Sequence, residues 1–227
     1  MIKNLINLLF PKICNGCDSL LLTNENVLCS SCRHDLPFTN HHSVKTNETY
    51  KKFYGRLPVS HASSIVYFHK QGIVQELIHK LKYKGAEDIG ALMGDLYHPE
   101  LTRIHATEKF DEIIPVPLHP KRLRERGYNQ VTRFGLSLSE GIAIRFNDTL
   151  LERKQYSKTQ TKKSLLGRTE INTSLFDVRF SEKDHDKHFL LIDDVITSGA
   201  TLEACGKAIL KIPGAKLSVI TIAYAHS

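Results

Sequence analysis

The sequence predicts an α/β fold, a mostly parallel sheet flanked by helices, with a small metal-binding module at its N-terminus. Three observations predict it. Apolar runs of strand type alternate with stretches of helical spacing along most of the 227 residues, the order that builds a parallel sheet. The run from Phe189 to Val195 passes through a hydroxyl-rich turn into a helical pattern, as at phosphate sites on the ends of buried strands. Two CxxC pairs stand near the front of the chain. We divide the chain at residue 50, with the four-cysteine module and a linker over 1–50 and the main domain over 51–227.

The balance of 31 Lys and Arg against 24 Asp and Glu gives a formal charge of +7. That favours contact with phosphates, nucleic acid or an anionic membrane face without selecting among them. No apolar run is long enough to span a membrane, and Met1 to Phe10 alternates too often for a signal-peptide core. The chain therefore reads as cytoplasmic. Ile2, Leu5, Ile6, Leu8, Leu9 and Phe10, with Lys3 and Lys12, admit either a peripheral contact at the inner membrane face or a short helix packed on its own domain.

Cys14-Asn15-Gly16-Cys17 and Cys29-Ser30-Ser31-Cys32 leave eleven residues between the inner cysteines. Each pair can present two thiolates from one tight turn, and two such turns make a tetrahedral sulfur site suited to structural Zn²⁺. A segment this short cannot bury a large core, so the metal would supply folding energy directly. A cytosolic setting argues against two disulfides; spacing alone leaves iron–sulfur ligation open. Thr39 to Lys52 is polar and without periodicity, which predicts a linker.

In the main domain, Ser63 to Phe68 reads as a strand. Val74, Leu77, Ile78 and Leu81 form a helical stripe that Gly85 stops, with Lys80, Lys82 and Lys84 complementing the helix carboxyl end. A second helix is expected from Glu87 to just before Pro99. Glu112 to Pro120 reads as a strand ending in a proline-rigid loop. Four cations follow within the six residues Lys121 to Arg126. A helix carrying Val131, Phe134 and Leu138 comes next. Thr149 to Leu151 suggests a short strand, and Arg153 to Ser164 a mobile basic loop.

The centre of the chain is Ile192-Asp193-Asp194-Val195-Ile196-Thr197-Ser198-Gly199-Ala200-Thr201. Thr197 to Thr201 can turn several N–H groups toward one phosphate, and Gly199 removes the Cβ that would hold a ligand away. Asp193 and Asp194 suit sugar hydroxyls or a ligand-bound metal. The turn has neither the Gly-Lys-Ser/Thr of a P-loop nor the three-glycine dinucleotide fingerprint. After it, Leu202, Ala204, Cys205, Ala208 and Ile209 give a buried helix face up to Pro213-Gly214, and Leu217 to Ile222 a late strand.

This centre resembles the phosphoribosyl pyrophosphate (PRPP) motif of type I phosphoribosyltransferases, and implies a type I phosphoribosyltransferase-like fold. Leu81-Lys82-Tyr83-Lys84-Gly85 and Pro115-Val116-Pro117-Leu118-His119-Pro120, followed by Arg122, Arg124, Gly127, Tyr128, Asn129 and Gln130, resemble the ComF family. Its members are linked to bacterial competence, DNA uptake and transformation, and typically carry the two-CxxC front. Gln160, Leu165, Arg168, Asn172 and Phe176 match a further ComF spacing, without the prolines that often precede it. The resemblance implies that Asp193 and Asp194 hold ribose hydroxyls and that Val195, Ile196, Thr197, Ser198, Gly199, Ala200 and Thr201 wrap the 5′-phosphate. It puts Leu118, His119, Arg122 and Arg124 at the diphosphate, with Mg²⁺ bridging diphosphate and ribose oxygens. Any enzyme activity would be a Mg²⁺-dependent phosphoribosyl transfer to an unknown acceptor. The alternative is a non-catalytic module that binds single-stranded DNA or a DNA-processing or uptake protein through the same basic loops, with Tyr83 or Tyr128 stacking a base.

Overall fold

The computed structural model describes residues 11–154 and 175–226. A five-stranded, wholly parallel sheet forms the centre, with strands β1 (His61–Phe68), β2 (Glu112–Pro115), β3 (Arg145–Phe146), β6 (His188–Ile196) and β7 (Lys216–Ala225). Their order is β1-β7-β6-β2-β3. β4 (Leu151–Arg153) and β5 (Phe176–Val178) pair antiparallel as a separate ribbon. The helices are α1 (Ser30–His34), α2 (Glu48–Lys51), α3 (Ile73–Tyr83), α4 (Asp88–Glu108), α5 (Pro120–Arg126), α6 (Thr132–Ile142) and α7 (Ala200–Ile209).

β6 is buried on both faces, as a central parallel strand must be. Leu190 and Ile192 join one apolar cluster, with residues of α3, α4 and α6. Phe189 and Leu191 join the other, with Leu202, Cys205 and Ile209 of α7. Alternation along the strand thus builds two cores. Gly94 of α4 sets the approach to α6, because a Cβ there would lie 2.3 Å from Ser137 Oγ.

Two expectations are corrected, and one run without an assigned structure proves helical. α4 runs through Pro99 to Glu108 instead of stopping before it. Proline inside a helix costs about 3 kcal/mol, but Leu101 and Ile104 beyond it are buried. Each such side chain contributes roughly 1.5–3 kcal/mol, which offsets the break. The cationic run after the proline loop is helical, because His119 caps α5 through its ring, Nδ1 accepting from Lys121 N at 3.1 Å.

The second correction concerns Thr39 to Lys52, which is packed rather than a free linker. Residues 37–39 run antiparallel along the sheet edge, with Tyr67 N donating to Pro37 O at 2.8 Å and Thr39 N to Ile65 O at 3.0 Å. Asn47, 3% exposed, caps α2 and donates to Ala62 O at 2.7 Å. His41 and Thr49 are also buried, their side chains 3.0 Å apart. The polarity that suggested a linker is polarity satisfied inside.

The N-terminal apolar stretch 1–10 lies outside the described residues, as do Gln160, Leu165, Arg168 and Asn172 and all but the first two residues of the expected loop. No helix among the described residues is long and apolar enough to cross a membrane.

Candidate functional site at the carboxyl end of the sheet

Asp193 and Asp194 sit at the carboxyl end of β6, and strand alternation sends them to opposite faces. Asp194 meets α3, where Lys82 Nζ lies 3.0 Å from its Oδ2. That contact is a charge pair by distance but is not aligned as a hydrogen bond, so Asp194 Oδ2 is buried with no hydrogen-bond partner among the described residues. Asp193 lies on the α7 side, where its charge acts on the buried Cys205 thiol. Its Oδ1 accepts from Asp194 N at 2.8 Å. Burial, and then the neighbouring Asp194 charge, push the Asp193 carboxyl up to about 8.

The turn after β6 has the shape its composition predicts. Gly199 takes φ 76°, at the N-terminus of α7. Thr197, Ser198 and Thr201 are exposed, while Gly199 is buried. Val195 to Leu202 and Asp193 line a depression of about 50 Å³. The first-turn N–H groups of α7 have no helical acceptors and face outward from the helix end. The turn is braced from far away in sequence: Arg56 donates from Nη1 to Ser198 O at 2.9 Å and to Lys52 O at 3.1 Å. Arg56 Nε also donates to Glu203 Oε2 at 2.8 Å, in the first turn of α7. Lys52 stands over the turn, its Cβ 3.6 Å from where a Gly199 Cβ would project.

The second half of the site follows β2. Val116 N donates to Ile192 O at 3.0 Å, and Asn129 Nδ2 donates to Val116 O at 3.0 Å, so Asn129 ties the proline loop to the start of α6. The N–H groups of Leu118 and His119 meet no acceptor among the described residues. The helix that follows, α5, shares with the end of α3 a cleft of about 400 Å³, lined by Lys82, Tyr83, Gly85, Arg122, Glu125, Arg126 and Tyr128. Arg122 and Arg126, one helical turn apart, share its wall; Arg124 is exposed and lies outside that lining. Arg126 also lies over the exposed Tyr83 ring, 5.5 Å from its centroid. The Tyr128 hydroxyl donates to Leu81 O, which closes the cleft onto α3.

The sequence expectation missed two residues. Lys82 reads in sequence as a complement to the helix carboxyl end, although it falls inside the Leu81–Gly85 motif. Arg56 had no local signal, since its partner Ser198 is 142 positions away.

The four cysteines form a second constellation. Cys14, Cys17, Cys29 and Cys32 place their sulfurs all within 4.8 Å of one another, with no disulfide. Cys14 Sγ accepts from Gly16 N at 3.3 Å and Cys29 N at 3.2 Å. Cys29 Sγ accepts from Cys32 N at 3.4 Å. Backbone donors aimed at sulfur suit thiolates. Burial and the three surrounding sulfurs push the Cys32 thiol up, while bonds from Ser19 draw Cys17 down to about 6. A bound cation would relieve that crowding, so the set fits one metal ion. Cys14, Leu28, Cys32 and Leu36 share a core with Ile65, Val74 and Leu77.

No family model matches the chain. Among curated proteins it is similar to Competence protein F of Haemophilus influenzae, 26% identical over 222 residues that cover 93% of this chain and 96% of that protein. Competence protein ComFC of Bacillus subtilis is 26% identical over 204 residues, 88% of this chain and 78% of that protein. DNA utilization protein YhgH of Escherichia coli O6:H1 is 27% identical over 146 residues, 63% of each. Among solved structures, adenine phosphoribosyltransferase from Saccharomyces cerevisiae aligns with TM-score 0.38 and 18% identity, covering 62% of this chain and 69% of that one. At that score the likeness carries no weight beside the geometry above.

Proposed function

We propose that the chain is a DNA-uptake protein of the competence type that binds PRPP or a related sugar phosphate at the carboxyl end of its sheet. One observation carries the reading: an outward-facing hydroxyl and N–H turn, a buried acid pair and a cationic cleft adjoin one another around the end of β6. A sugar carrying phosphate at one end and diphosphate at the other needs that set of partners. The printed names of the curated relatives supply the biological setting.

In this reading Asp193 and Asp194 hold ribose hydroxyls, and Val195 to Thr201 hold the 5′-phosphate. The N–H groups of Leu118 and His119, with Arg122 and Arg126, meet the diphosphate, while Arg124, which the sequence also offers, lies outside the cleft lining; Arg matches phosphate oxygens bidentately. The buried carboxylates can orient hydroxyls, and their low-dielectric setting strengthens those bonds. Mg²⁺, bound with the ligand, would neutralise charge on the departing diphosphate. Phosphoribosyl transfer is the activity such a site supports, with an acceptor that no residue identifies. The cysteine set takes Zn²⁺ as a structural ion, because four protein sulfurs leave no open position. Reduced thiols suit a cytoplasmic protein, at or near the inner face of the membrane.

Calorimetric titration of the zinc-loaded protein with PRPP, with and without Mg²⁺, tests the reading. Saturable Mg²⁺-dependent binding, lost in Asp193→Asn with Asp194→Asn, supports it. No binding at millimolar PRPP by folded protein rejects it.

A second reading is favoured by Tyr83, which is 66% exposed at the rim of the cleft beneath Arg126. A cation over an aromatic rim is a fair seat for single-stranded DNA. Filter binding at two salt concentrations separates the readings, since contact with a phosphate backbone weakens steeply with salt.

A further inference from the structure

We infer that Lys82 is a positioning residue shared by the two halves of the site: it guards Asp194 until a diphosphate enters the cleft, then turns to that diphosphate and leaves Asp194 to the sugar. The inference rests on the sugar-phosphate reading above and adds to it a coupling between subsites.

Three observations carry it. Lys82 Nζ stands 3.0 Å from Asp194 Oδ2, and among the described residues no other cation pairs with either acid. The same side chain lines the cleft with Arg122 and Arg126. The pair is unequally placed, Asp194 being 6% exposed and Lys82 26%, so the lysine is the partner with room to move. Its four-carbon stem gives the ammonium several ångströms of sweep.

The exchange is physically balanced. A buried carboxylate without a counter-charge is costly, which holds Lys82 on Asp194. The contact is not aligned as a hydrogen bond, so Asp194 Oδ2 retains its accepting capacity. A sugar hydroxyl can satisfy that oxygen directly. A diphosphate beside Arg122 and Arg126 offers the ammonium more negative charge than one carboxylate does. Each event therefore favours the other, and the two ligands should bind cooperatively.

Lys82→Met keeps the apolar stem and removes the charge. The full zinc-loaded protein is titrated separately with inorganic pyrophosphate and with ribose 5-phosphate, then with ribose 5-phosphate at saturating pyrophosphate. In the wild type, pyrophosphate should tighten ribose 5-phosphate binding. In Lys82→Met, pyrophosphate affinity should fall about tenfold, the range of one charged hydrogen bond. Ribose 5-phosphate affinity should rise, and the coupling should vanish. A lysine that merely clamps α3 to β6 would weaken both ligands together, and that parallel loss overturns the inference, as does an unchanged pyrophosphate affinity.

Should the methionine variant fail to fold, Lys82→Arg keeps the charge and grips Asp194 through a fork. It should then weaken ribose 5-phosphate and retain pyrophosphate; unchanged ribose 5-phosphate binding overturns the inference. Wild-type protein that binds neither probe removes the sugar-phosphate reading and this inference together. Wild-type binding of both, with no effect of either variant, removes the inference alone.

Discussion

Arg56 and Ser198 are joined by a hydrogen bond of 2.9 Å from the guanidinium to the loop carbonyl. The same guanidinium bonds Glu203 one turn into α7. The turn between β6 and α7 is thus held from outside as well as by its own strand and helix. Arg56→Ala should weaken ribose 5-phosphate binding about tenfold, because a loosened turn must be ordered on binding. Calorimetry checks it, with zinc content expected to stay at the wild-type level.

Gly199 holds φ 76° at the head of α7. Gly199→Ala would meet only ordinary contacts, 3.6 Å to Ile196 Cδ1 and to Lys52 Cβ. Its cost is therefore conformational, about 1 kcal/mol. Denaturant unfolding should show a loss of that size. A loss several times larger would mean that the space is tighter than these contacts indicate.

Asp193 gives the protein a pH signature. Its folded-state pKa, about 8, lies well above the 3.8 of an ordinary aspartate. The native state therefore binds the extra proton between those values. The linked stability is fully present below the unfolded pKa, declines as pH rises through the window, and is gone above about pH 8. Asp193→Asn should flatten that decline in a thermal-unfolding series. Sugar-phosphate affinity should move the other way, rising toward pH 8 as the carboxylate forms and can accept hydroxyls.

The basic helix offers an internal control. Arg122 lines the cleft and Arg124 does not. Arg122→Ala should weaken pyrophosphate binding about tenfold and Arg124→Ala by much less. Equal losses would mean that the helix acts through net charge alone. Filter binding of single-stranded DNA to both variants, at low and high salt, tests the competing reading on the same residues.

The cysteine module should report on the whole protein. Cys14 and Cys32 are buried in the apolar cluster that includes Ile65 and Val74. Chelation, or Cys14→Ser, should lower the unfolding temperature in a single transition, because the four-cysteine module shares its core with the main domain. Two resolved transitions in calorimetry would contradict that coupling.

The strands and the glycine-centred turn after β6 were legible in sequence because local signals carry them: apolar runs at Phe189 and Leu217, and hydroxyls around Gly199. The CxxC pairs were equally local. Non-local energetics hid the rest. Pro99 is outvoted by burial of Leu101 and Ile104 further along the same helix. The polar stretch around Asn47 is ordered by acceptors on β1, which composition cannot reveal. Lys82 and Arg56 acquire their meaning only when α3 and the turn after α2 are brought against the end of β6.

Residues 37–39 line the outer side of β1, and β3 at the opposite margin is two residues long. A sheet finished this way gives an extended chain little unpaired backbone to zip onto. Strand addition, a common route by which folded domains capture peptides, is thereby disfavoured. Whatever macromolecule this protein meets is better recognised by the side chains of its clefts and loops, so its associations should answer to point substitutions and to salt.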